Sequence, residues 1–173
     1  MEYTVKDIQK LRETTGAGPL DCKKALEEAS SFDDAIAALE AKGKKRAEKI
    51  AGQERETRQG YIAAYTHFAG NLAVLLELNC STDFVSRNEE FRTLANELAL
   101  QVAALDPKYI TLEEIPADVA EGKSRKELEA LALMVQPWFK DEKVKIADLI
   151  NDLIRKTGEN IVVRRFVRFK LGE

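Results

Sequence analysis

Apolar residues recur at helical spacing three times in the N-terminal quarter of the chain, and each recurrence opens on a capping signal. Val5, Ile8 and Leu11 share one face, with Thr4 placed to cap the helix and Asp7 three residues on to return the bond. Gly16-Ala17-Gly18-Pro19 breaks that helix, and Pro19 suits the first turn of a second one, whose inward positions are Cys22, Ala25, Leu26 and Ala29. Ser31 caps a third, with Asp34 at the same spacing as before. Ala35, Ile36 and Leu39 form its apolar face, and Gly43 is expected to end it. Each helix is marginal alone. Packed together they predict a three-helix bundle over residues 1–43, near the lower size limit for independent folding.

From Gly43 to Arg58 the stripe vanishes. The run GKKRAEKIAGQERETR reads as a charged, solvated helix or linker over residues 44–59, and Glu48, Glu54 and Glu56 dilute the positive charge that a nucleic-acid arm would need. A second unit, residues 60–173, starts with a hairpin: Tyr61 to Phe68 is rich in β-favouring residues, Ala69-Gly70-Asn71 turns, and Leu72 to Asn79 is a more buried strand. Phe91, Leu94, Ala95, Leu98 and Val102 predict a long helix from Asn88 to Leu105, stopped by Asp106-Pro107. Ile110 to Gly122 is loop-like. Lys123 to Met134 reads as a charged helix with Leu128, Leu131 and Leu133, followed by an irregular Gln136-Pro137-Trp138-Phe139. Lys143 to Lys156 reads as an amphipathic helix on Ile146, Leu149, Ile150 and Leu153. Ile161 to Leu171 is a final strand with Val167 and Phe169 turned to the core. The class is α+β: a helical bundle, then a small antiparallel sheet covered by helices on one face.

Composition narrows the chemistry. The 173 residues are 45% hydrophobic and 33% charged, a globular balance, and the net charge of −3 argues against a general polyanion binder. No apolar run is long enough to span a membrane. The start, MEYTVKDIQKL, lacks the pattern of a signal peptide, so a cytoplasmic location is expected. Two cysteines, Cys22 and Cys80, are too few for a disulfide framework or zinc site and read as buried thiols. With one histidine, His67, neither a metal cluster nor a catalytic triad has material to work with, and no cofactor is expected. Neither GxGxxG nor GxxxxGK[ST] occurs, so direct nucleotide binding is not expected. Glu89-Glu90 and Asp33-Asp34 sit at helix starts, where capping accounts for them.

Two segments retain a functional reading. Thr82-Asp83-Phe84-Val85 puts an acid and a large ring at a strand-to-helix junction, where binding residues often sit. On pattern alone Asp83 suits a helix start equally well, and Phe84 a core edge. Arg164 to Lys170 alternates cations with apolar residues. That suits either stacking on nucleic acid or an exposed strand face protected from edge pairing.

Three collinear segments resemble the signatures of the bacterial elongation factor Ts family, in its short form. They are Leu11 to Leu26 (LRETTGAGPLDCKKAL), Glu77 to Val85 (ELNCSTDFV) and Gly158 to Phe166 (GENIVVRRF), and the likeness runs through the whole chain. Pro19-Leu20 replaces a more usual methionine pair, and Ser81 stands where an acid or amide is common. The resemblance implies guanine nucleotide exchange on elongation factor Tu, with no covalent catalysis. It implies that a ubiquitin-associated-like bundle docks on that GTPase through Arg12, Gly18, Pro19, Leu20 and Lys23, and that Thr82, Asp83, Phe84 and Val85 disturb its magnesium site. Tyr65-Thr66-His67 resembles a Tyr-x-His segment of the second core half of long members, which makes His67 a further expected contact and pairing of two chains the expected assembly. The alternatives are an RNA-binding translation accessory using the basic C-terminal strand, and a scaffold in which the bundle alone recruits partners.

Overall fold

Thr4 closes the first helix as the sequence asks. Its hydroxyl accepts the Asp7 N–H at 3.4 Å, and the Asp7 carboxylate accepts the Thr4 N–H at 2.8 Å, so a full capping box opens α1 (Val5–Thr15). The computed structural model describes residues 3–51 and 57–173, and the chain divides into two units, Met1–Gly52 and Gln53–Glu173. In the first, Gly16 ends α1 in the left-handed region, φ 66°, where a side chain would be strained. Pro19 occupies the first turn of α2 (Pro19–Glu28). Ser31 Oγ accepts the Asp34 N–H at 3.1 Å at the start of α3 (Phe32–Ala51). Leu11, Cys22, Ala25, Leu26, Ala35 and Leu39 form the buried core, with Ile8, Ala29 and Ile36 packed against it.

Two expectations fail in this unit. Val5 is exposed, because the first helical residue lies beyond the end of the packed stripe. Gly43 does not end the third helix, which continues to Ala51. A mid-helix glycine costs about 1 kcal/mol relative to alanine. Lys44, Lys45, Arg46 and Ala47 are good helix formers, and a nucleated helix propagates cheaply. Lys42 also ties α3 to α2 through Asp21, at 2.7 Å. Residues 52–56 of the expected linker lie outside the described residues.

The second unit is α+β as expected. Its elements are β1 (Gln59–Thr66), β2 (Leu72–Cys80), α4 (Asp83–Ser86), α5 (Glu89–Leu105), α6 (Ala117–Ala120), α7 (Arg125–Leu131), β3 (Pro137–Trp138), β4 (Asp141–Lys145), α8 (Ile146–Thr157) and β5 (Ile161–Lys170). β1, β2 and β5 form an antiparallel sheet in that order, with β2 in the middle. α5 packs across β1 and β2, and α8 packs beside α5. The core lies between them: Ala63, Val74, Leu76 and Leu78 from the sheet, Phe91, Leu98 and Val102 from α5, Ile146, Ile150 and Ile154 from α8. Gly60 is required where β1 begins, since a Cβ there would stand 2.4 Å from the Leu78 carbonyl oxygen.

The alternation in β5 is not what the sequence suggests. Arg165 lies opposite Glu77 but Val163 opposite Leu78, so Arg164 is an extra residue at a bulge. Because strand side chains alternate, one added residue exchanges the two faces beyond it. Ile161 and Val163 face the core, whereas Val167 and Phe169, expected to point inward, are exposed on the sheet face turned away from α5. Exposed Ile62 and Leu75 share that face, since Leu75 pairs with Val167 and Ile62 with Glu77.

The region after α5 also differs. The helix expected from Lys123 is the shorter α7, opened by a Ser124–Glu127 capping box and closed by an extended Ala132. The stretch expected to be irregular contributes to a small hairpin, β3 with β4, so the following helix starts at Ile146 rather than Lys143. Buried Gln101 of α5 holds this hairpin. Its amide donates to the Pro137 carbonyl at 3.0 Å and accepts the Phe139 N–H at 3.0 Å. These bonds span more than thirty residues of sequence, beyond any local pattern.

Candidate functional site

The end of β2 feeds directly into the Thr82–Val85 turn. Cys80 is fully buried, and its thiol donates to the Thr82 carbonyl at 3.1 Å. Burial, and then the negative charge of Glu159, push that thiol up to about 11, so at neutral pH it remains a protonated donor. The Thr82 N–H and hydroxyl both donate to the Glu159 carboxylate, at 3.0 and 2.6 Å. One turn of helix, α4, follows. The Ser86 hydroxyl donates to the Asp83 carbonyl at 2.9 Å, and Arg92 Nε to the Ser86 carbonyl at 3.2 Å. Asn88 then caps α5 by accepting the Glu90 N–H at 2.7 Å.

The four expected site residues therefore divide by direction. Val85 is buried and anchors the turn, and Thr82 is held from below. Asp83 faces outward and pairs with Arg87 at 3.2 Å, an exposed pair of small energetic weight. Phe84 is 84% exposed, a large ring held in water on a well-bonded turn. The Ser81 hydroxyl, at the start of the turn, is buried without a hydrogen-bond partner.

The remaining expected contacts fall elsewhere. Arg12, Gly18, Pro19, Leu20 and Lys23 are exposed around the α1–α2 turn of the bundle, and Lys23 pairs loosely with Glu27 at 3.9 Å. His67 lies in the β1–β2 turn, where its N–H donates to the Leu72 carbonyl and its own carbonyl accepts the Gly70 N–H. Its ring is 4.3 Å from that of Phe68, which is 96% exposed. Tyr65, His67, Leu100 and Arg168 line a cavity of about 370 Å³ there. His67 and Phe84 stand at opposite ends of β2, roughly 27 Å of strand apart. Sequence reasoning missed Phe68 and the tie from Glu159 to Thr82. The first looked like ordinary strand, and the second joins segments distant in sequence.

Among the described residues no group of three His, Cys, Asp or Glu side chains is placed to hold a metal ion, and no helix is long and apolar enough to cross a membrane. A family profile described as Elongation factor TS matches residues 5–125. The chain belongs to the elongation factor Ts family. It is 47% identical to the elongation factor Ts of Thermotoga petrophila over 197 residues, covering 100% of this chain and 98% of that protein. Identity and coverage are the same for the elongation factor Ts of Thermotoga maritima. The Elongation factor TS match includes both the bundle and the Phe84 turn.

Proposed function

We propose that this chain is a cytoplasmic guanine nucleotide exchange factor for elongation factor Tu, and that Phe84 drives GDP release by prying at the partner's magnesium and phosphate site. One observation carries the reading: a nearly bare aromatic ring stands on a turn whose backbone is held by buried and charged groups. Membership of the elongation factor Ts family supports the choice of partner. A bound nucleotide is held largely through its phosphates and their Mg²⁺. A rigid ring entering a close-packed wall beside them repacks it in discrete steps and loosens metal and phosphate together. Asp83 assists by engaging polar groups near the metal. The chain makes and breaks no covalent bond. It and the nucleotide weaken each other's hold on the GTPase by one shared coupling free energy, so exchange runs in either direction.

In this account residues 1–43, extended by the helix that runs on to Ala51, dock on the GTPase through Arg12, Gly18, Pro19, Leu20 and Lys23, and the turn at His67 makes a second contact. The uncovered sheet face, with Ile62, Leu75, Val167 and Phe169, pairs with a second copy of the chain. Stopped-flow release of fluorescent GDP from elongation factor Tu tests the activity. The chain accelerates release on this reading, and unchanged release refutes it. The RNA-binding alternative draws less support, because Arg165 is paired with Glu77, Arg168 with Asp106 and Glu173, and Lys170 with Glu173.

A further inference from the structure

We infer that Glu159 is the positioning residue of the exchange turn: its carboxylate sets the pose of Phe84 through Thr82, without touching the partner. The inference rests on the exchange reading above and assigns a role within that same site.

Thr82 occupies the N-cap position of α4 with extended backbone, φ −124° and ψ 157°. A threonine there ordinarily turns its oxygen onto the free N–H groups of the helix. Here it makes no such cap bond. Its hydroxyl is drawn away to Glu159 Oε1 at 2.6 Å, while its N–H donates to Oε2 at 3.0 Å. Both bonds are charge-assisted, so they outweigh the neutral cap that is given up. With the Cys80 thiol on its carbonyl at 3.1 Å, every polar group of Thr82 is engaged. A helix of four residues has no stability of its own. Its orientation is set at its two ends, by Thr82 at the start and by buried Val85 and the Arg92 bond to the Ser86 carbonyl at the finish, and Phe84 is two residues after Thr82.

Glu159 is itself fixed. It follows Gly158, which closes α8 in the left-handed region at φ 71°, and its N–H donates to Thr157 Oγ1 at 3.3 Å. It lies 77 residues from Thr82, at the junction of α8 and β5. Two of the motifs singled out in the sequence, ELNCSTDFV and GENIVVRRF, therefore meet at one bidentate contact.

The test uses the full chain and elongation factor Tu loaded with fluorescent GDP, titrated in stopped flow. The variants are Glu159→Ala, Glu159→Gln, Phe84→Ala and the double variant Glu159→Ala/Phe84→Ala, and thermal melting is followed for each. Glu159→Ala is expected to lower the maximal release rate about tenfold or more. Its half-saturating concentration should change by less than about threefold, since docking through the bundle is untouched. Glu159→Gln restores part of the rate: its carbonyl oxygen accepts the Thr82 N–H and its amide donates to Thr82 Oγ1, but without the charge. The double variant is expected to be little slower than Phe84→Ala, because both changes remove one device. The inference is overturned if Glu159→Ala keeps the wild-type maximal rate while Phe84→Ala loses it; the exchange reading then stands. It is also overturned if the two losses multiply, or if Glu159→Gln is as slow as Glu159→Ala. If Phe84→Ala is as fast as wild type, or wild type accelerates nothing, the reading and the inference fall together.

Discussion

Two phenylalanines stand bare at opposite ends of one sheet, and they are held in different ways. Phe68 is the more exposed, at the tip of the β1–β2 hairpin. The turn that carries it is closed by backbone bonds from His67 to Leu72 and from Gly70 to His67, and its ring leans on the His67 imidazole. Phe84 comes two residues after Thr82, whose N–H, carbonyl and hydroxyl are all engaged, and precedes a buried Val85. Exposure alone would rank Phe68 first. Anchoring reverses the order. A ring that must displace packed groups in a partner needs a stiff mount, because on a soft one the ring moves before the partner does. A ring that only adds contact area does not. The account therefore assigns Phe84 to the release step and Phe68 to affinity.

The largest effect expected is at Phe84 itself. Phe84→Ala should slow maximal GDP release by roughly thirtyfold or more, the loss typical of a dominant interface residue. Thermal melting should barely change, since the ring is 84% exposed in the free chain. Next comes Gly60→Ala. A Cβ forced against the Leu78 carbonyl disturbs the start of β1 and is expected to cost about 1–3 kcal/mol, read from the urea midpoint. That change strikes the shared scaffold, so both rings should lose effect together. Phe68→Ala is the sharper discriminator. The half-saturating concentration of the chain in the release assay should rise by about threefold to fivefold with the maximal rate unchanged. A fall in maximal rate would erase the distinction.

The smallest effect lies on the open face between the two ends. Arg165 donates to Glu77 at 2.7 Å and, with Asn79, holds the Glu77 carboxyl below its ordinary value of 4.5. A carboxyl depressed on folding adds stability that is present above its unfolded pKa and is lost as pH falls through the folded one. Glu77→Gln should therefore cost at most about 1 kcal/mol at pH 7, because Arg165 is largely in water. The difference from wild type should shrink as urea titrations move below pH 4.5.

How much of this was legible in the sequence follows the range of the interactions. Thr4 with Asp7, Pro19, Asn88 and the Phe91–Val102 stripe act within a few residues, and their elements appear where the pattern puts them. The motif at Asp83-Phe84 also stood out. What was hidden depends on distant partners. Gln101 draws Pro137 and Phe139 into a hairpin, the bulge at Arg164 turns Val167 and Phe169 outward, and Glu159 takes the Thr82 hydroxyl away from its helix. Gly43 misled for another reason. Local propensity marks it as a stop, but strong helix formers on its far side carry α3 through.

The central claim is a statement about where one ring goes, so a structure of this chain bound to nucleotide-free elongation factor Tu tests it most directly. The account predicts the Phe84 side chain buried in the GTPase, beside the groups that hold Mg²⁺ and the phosphates. A complex with Phe84 still facing solvent, away from that site, would contradict it.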